Sequence, residues 1–166
     1  SLELEAIVGF EMGELNHSAK LRTLMPKLES IPAGTEDLPG VYLSTVSAEE
    51  MELKPGDVFF VRNMKVRLDG VFKSADLDSF TYLDGGKVAP PNFEATATAE
   101  EKGIFVIFNN AYVDASNFIW SSPDTTMLTD YETASKINGF VNAVILYPKE
   151  DKNPDIVKDA TSIAEV

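Results

Sequence analysis

Cysteine is absent from the 166 residues, and histidine occurs once, as His17. Disulfides, thiolate metal centres and cysteine nucleophiles are thereby excluded. So is a zinc site that needs two or more His or Cys ligands from one chain. Basic residues are scarce: 14 Lys and Arg stand against 27 Asp and Glu, a formal net charge of −13. Phosphate backbones and anionic membranes repel such a chain at long range. No uncharged run approaches the ~20 residues that span a bilayer. With 10 glycines and 9 prolines, the chain is not low-complexity disorder. The opening Ser1-Leu2-Glu3-Leu4-Glu5 lacks the basic segment and apolar stretch of a secretory signal.

What is present suits a globular chain. Hydrophobic residues make up 44% and aromatics 10%, enough large side chains for one packed core. Alternation from Leu2 to Phe10 predicts an opening strand. Leu21, Leu24, Met25 and Leu28 then fall at helical spacing, predicting a short helix over Ser18–Met25 that Pro26 curtails. Residues 30–40 read as a loop. Val41–Val46 is a strand by composition. Ser47 with Glu50 matches a capping box for one helical turn, which Lys54-Pro55-Gly56-Asp57 ends. Residues 57–61 are apolar, and Met64, Val66 and Leu68 alternate with Lys65, Arg67 and Asp69. Asp69-Gly70 is the strongest hairpin signal in the chain, with Arg62-Asn63 a second turn in which Asn63 is better suited to left-handed backbone.

Further strands are expected at 81–83, 103–108, 111–113 and 141–147. A capping box at Thr98–Glu101 leaves room for barely a turn. Thr129 with Glu132 predicts a capped helix from Asp130 to about Asn138, ended by Gly139. No internal repeat is visible. Short strands, turn signals and two or three short helices predict a mainly β fold, a β-barrel or β-sandwich. The chain divides into residues 1–40, an N-terminal strand, helix and loop that could serve as an assembly arm; residues 41–148, a β-rich core; and residues 149–166, a charged tail with weak helical spacing.

Catalytic chemistry has little to work with. There is no Gly-x-Ser-x-Gly elbow and no glycine-rich phosphate loop. His17 sits near a helix start with nothing in the sequence to place a nucleophile and an orienting acid beside it. On a strand, Asp76 and Asp78 would share a face and could bind a hard cation, but the surrounding residues lack the glycine and terminal Glu of a calcium loop. Asp114 with Asn117 is weaker. No enzyme activity, cofactor or metal is expected.

Contact surfaces remain. Residues 57–73 hold Arg62, Lys65, Arg67 and Lys73 against Asp57 and Asp69, a local +2 within a remainder of −15. Interleaved with Phe59, Phe60 and Phe72, these cations could form an oligonucleotide-binding surface or simply the polar face of a half-buried hairpin. Phe118 and Trp120 share a strand face and are candidate anchors, unless both belong to the core. Acidic stretches at 76–101 and 114–132 could imitate DNA phosphates or block a basic cleft. The leading expectation is a non-enzymatic interaction protein, an accessory component of a larger assembly such as a virion or particle coat. It would have protein partners, as a homo- or hetero-oligomer. Oligonucleotide binding through 57–73 and acidic inhibition or DNA mimicry are the alternatives.

Overall fold

The computed structural model describes residues 3–26, 34–81, 85–92 and 119–137. Five strands form one mixed sheet: β1 (Ala6–Phe10), β2 (Gly40–Ser44), β3 (Val58–Val61), β4 (Met64–Phe72) and β5 (Thr126–Asp130). Their order is β1-β5-β2-β4-β3. The outer neighbours β1–β5 and the inner pair β2–β4 are parallel, while β2–β5 and β3–β4 are antiparallel. Among the described residues four α-helices of a turn or so follow strands or cover them: α1 (Ala19–Leu24), α2 (Thr45–Glu50), α3 (Ser74–Asp78) and α4 (Tyr131–Lys136). This is the mainly β fold with a few short helices that the sequence predicts. Among the described residues no helix is long and apolar enough to cross a membrane.

Alternation along the strands gives each face of the sheet its own core. Tyr42, Phe72, Leu128 and Phe10 point to one side and pack with Leu21, Leu24 and Met25 around α1 and with Leu77 of α3. Val41, Leu43, Val66, Leu68 and Met127 point to the other and meet Ala48 of α2 and Ile137 after α4. Residues 6–25 are therefore built into the same sheet and core as 41–72. The helix expected at Ser18–Met25 is found, with the Ser18 side chain accepting a hydrogen bond from the Leu21 amide and Pro26 lying just past the C-cap.

Several local expectations are corrected. First, Asp69-Gly70 is no hairpin: β4 runs straight through it, paired in parallel with β2. The register slips there, Val41 facing Leu68 and Tyr42 facing Gly70, so Asp69 bulges out. Glycine fits closely here: a Cβ at position 70 would come 3.2 Å from the Pro26 carbonyl and 3.3 Å from the Tyr42 ring, so those neighbours would have to give by a few tenths of an ångström. The hairpin is instead at Arg62-Asn63, and Arg62, not Asn63, takes the left-handed backbone, φ 53°.

Second, the cap of α2 is Ser44, three residues before the expected Ser47. Third, residues 126–130 form an interior strand that the Thr129–Glu132 pattern hid. Asp130 is the true cap of α4, its carboxylate accepting from the Thr133 amide at 2.8 Å and hydroxyl at 2.6 Å. Asp76 and Asp78 lie on α3, not on a strand, and at that spacing do not share a face. The strands expected at 103–108, 111–113 and 141–147, the capping box at 98–101 and the tail from 149 lie outside the described residues.

Serine explains how β2, α2 and α3 are joined to the loop before β5. Ser44 and Ser47 are fully buried. The Ser44 hydroxyl accepts from the Ser47 amide at 2.9 Å and donates to the Asp124 carbonyl at 2.6 Å. Ser47 donates to the same carbonyl, and Ser74 donates to the Asp124 carboxylate. Replacing Ser44 by Ala strands the buried Ser47 amide, and stability should fall by about 1–2 kcal/mol. Urea denaturation checks this; an unchanged midpoint would show that the serine ties carry no weight.

Candidate interaction surface on the hairpin

The β3–β4 hairpin is fixed from one side. Val61 and Val66 are buried in the core, and Phe59 and Met64 pack against it. Strand alternation then sends Val58, Phe60, Lys65 and Arg67 to the opposite side, in the pairs Val58–Arg67 and Phe60–Lys65. The four residues have quite different fates.

Arg67 is drawn into the protein, with 5% of its surface exposed. Its Nε donates to Asp69 Oδ1 at 2.5 Å and its Nη1 to the Thr35 carbonyl at 2.5 Å. The hydrogen bond to Asp69 raises its pKa above the ordinary arginine value. Gly40 makes the arrangement possible, since a Cβ there would overlap the Asp69 carboxylate. Tyr42 stands beside the pair, and its pKa is pushed up from 10.0 to about 12, by burial first and by the charge of Asp69 second, with Arg67 opposing. Arg62, exposed at the turn, donates to the Ile137 carbonyl at 3.1 Å, where the end of α4 leaves carbonyls to satisfy. Neither arginine is displayed as a bare cation.

Lys65 is exposed and forms no ion pair among the described residues. Facing it, Phe60 is 67% exposed, more than any other large hydrophobic residue described; Val46, Ile119 and Tyr131 follow at 42–43%. The sequence contained the signal for Phe60. A two-residue turn at Arg62-Asn63 places Phe60 opposite Lys65, on the polar side of the alternation that Met64, Val66 and Leu68 define. The Arg62-Asn63 turn is legible in the sequence; the pairing it sets for Phe60 is overshadowed there by the Asp69-Gly70 signal.

The main chain of β3 adds a second feature. The Leu68 amide donates to the Asp57 carbonyl at 2.9 Å, which with the register makes Asp57, Phe59 and Val61 the residues bonded to β4. The N–H and C=O groups of Val58 and Phe60 therefore point away from β4. Among the described residues β3 pairs with β4 alone.

The other sequence candidates are elsewhere. Trp120 is half-buried and bridges Pro91, with flanking hydrogen bonds from the Asn92 amide to the Ile119 carbonyl and from the Ser121 amide to the Pro90 carbonyl. Phe118, Asp114 and Asn117 lie outside the described residues. His17 is exposed and closes a 3₁₀ turn at Met12–Asn16, its amide donating to the Glu14 carbonyl. Asp78 binds Lys87 at 2.5 Å on the surface. Among the described residues no group of three or more His, Asp or Glu is placed to hold a metal ion. No family model matches the chain, and no curated protein or solved structure matches it.

Two outcomes are expected for the buried pair. Asp69→Asn leaves Arg67 without its counter-charge and should cost about 3 kcal/mol or more in a denaturant titration. Tyr42 should ionise near pH 12. Because its folded pKa lies above the unfolded value, its contribution to stability is intact below pH 10 and is lost as pH rises from 10.0 towards about 12. Phenolate absorbance of the protein against Tyr42→Phe reads this directly; a tyrosine titrating at its ordinary value would refute the buried placement.

Proposed function

We propose that the chain is a non-enzymatic interaction protein, a component of a larger assembly such as a virion or particle coat, that docks through the β3–β4 hairpin. The observation that carries this reading is Phe60, 67% exposed on a strand held from behind by Phe59 and Val61. A single exposed apolar residue is ordinary. This one lies on a strand whose outward main-chain groups meet no other strand among the described residues, and residues 58–61 hold no charge to discourage pairing. Natural sheets usually blunt such an edge with lysine, proline or a bulge. Leaving it plain supports a role in contact. The aromatic ring supplies an anchor, the rigid strand limits the entropy lost on docking, and Lys65 beside it orients a partner by charge.

Oligonucleotide binding through the same hairpin is less well supported, because Arg67 is committed to Asp69. Acidic inhibition or DNA mimicry draws on stretches of which residues 82–84, 93–101 and 114–118 lie outside the described residues.

A photo-cross-linking residue placed at position 60 separates these readings in cells that make the protein. Covalent adducts with a polypeptide are expected at position 60, well above those from position 46, where Val46 is exposed on α2. Equal yields at the two positions, or adducts with nucleic acid, would overturn the proposal. Phe60→Ser should leave the unfolding midpoint within about 0.5 kcal/mol of the parent, since the ring is on the surface.

A further inference from the structure

We infer that the occupant of the β3 edge is a second copy of this chain, joined antiparallel about a two-fold axis at Phe59. This rests on the reading of the hairpin as a contact surface and names the partner. The edge is its own complement. Val58 and Phe60 both turn their N–H and C=O groups outward, with Phe59 between them. An antiparallel copy that sets Val58 opposite the partner's Phe60 sets Phe60 opposite the partner's Val58. Every open group on both strands then finds a donor or acceptor. No other antiparallel register uses all of them. In this one the Phe60 ring lies against the partner's Val58, on the face where both side chains project.

Charge favours the same arrangement. Asp57 precedes the strand and Arg62 follows it, and both are exposed. Antiparallel pairing brings each Arg62 towards the Asp57 of the other copy, at both ends of the interface. The chain as a whole carries −13, so two copies repel over most of their surfaces. Residues 57–73 are the segment where the sign is reversed, +2 against −15 for the rest. Contact there sets two weakly charged segments together, with less repulsion than two acidic faces would meet. An isologous pairing of this kind closes on itself and uses up the β3 edge of both copies.

Sedimentation equilibrium of the purified full-length chain over a wide concentration range tests the inference. Reversible dimers are expected. Phe60→Pro removes one outward N–H while leaving every bond to β4 in place, as proline does on sheet edges, and should weaken dimerisation at least about tenfold with the circular dichroism spectrum unchanged. Phe60→Lys should weaken it likewise and remains readable should the proline variant fail to fold. A chain monomeric throughout, or a dimer indifferent to both substitutions, would overturn the inference. Cross-linking from position 60 distinguishes the two proposals. Adducts of twice the chain mass support self-pairing, whereas adducts with a different polypeptide sink it and leave the contact surface standing.

Discussion

Arg67 and Asp69 occupy the place where one face of the sheet passes from covered to open. Beyond Asp69 the same side of β4 presents Gly70 and Phe72, under α1 and against Tyr42. Before it stand Lys65 and, across the ladder, Phe60. The bulge at Asp69 is what permits both. An unbroken strand would put Phe72 on the side of Leu68 and empty the core beneath α1. The ion pair holds the bulged residue by bonding Asp69 to its own strand, and the Thr35 carbonyl takes a further N–H of the guanidinium. A buried pair is seldom a large net source of stability, because desolvation offsets much of the attraction. Its role here is geometric: it sets the parity of β4, and the parity decides which side chains are displayed.

The parity argument also shows which parts of the structure were legible in the sequence. The sheet itself was, because β-branched and aromatic residues recur at strand spacing in 41–46 and 57–72. The Ser18–Met25 helix was legible from its apolar face and from Pro26, which ends it. The Asp69-Gly70 turn misled because Asp-Gly serves two unrelated needs. In a hairpin the glycine supplies left-handed backbone. In β4 it supplies space beneath Pro26 and Tyr42, and only the tertiary neighbours show that. Thr126–Asp130 misled in a similar way. Thr129 and Glu132 match a capping box by spacing, yet Asp130 also caps, and Thr129 spends its hydroxyl on the Gly40 carbonyl across the sheet. Local patterns name residues able to cap; the sheet decides which one does.

Among the site residues, the basic ones were legible by charge but not by disposition. Arg62, Lys65 and Arg67 look equivalent in a sequence. The fold sends Arg67 inside to neutralise Asp69, lends Arg62 to the last carbonyls of α4, and leaves Lys65 beside an exposed ring. Charge counting over 57–73 therefore overstates the field that a polyanion would meet and understates the apolar character of the edge. Hydroxyl groups were read mainly as caps or turn residues. Several of them are instead buried fasteners between β2, α3 and the Asp124 loop, a role that depends on a contact some 80 residues away in sequence.

The scale of the proposed contact fits a component that works in numbers rather than alone. Burying a phenylalanine ring is worth about 1.5–3 kcal/mol. Main-chain hydrogen bonds at an exposed edge add about 0.5–1.5 kcal/mol each after exchange with water. Against this stands a loss of translational and rotational freedom of roughly 4–15 kcal/mol, together with repulsion between two strongly acidic bodies. A four-residue edge of this kind can hold two copies only weakly in free solution. Held within a larger assembly, the same edge meets its partner at a high effective concentration, and the entropy is already spent. Weakness then becomes a safeguard: the plain edge that would be a hazard in a tight self-binder stays largely unpaired in dilute solution. The net charge of −13 sets the threshold, since salt or a basic scaffold that screens it lowers the concentration at which the edge pairs.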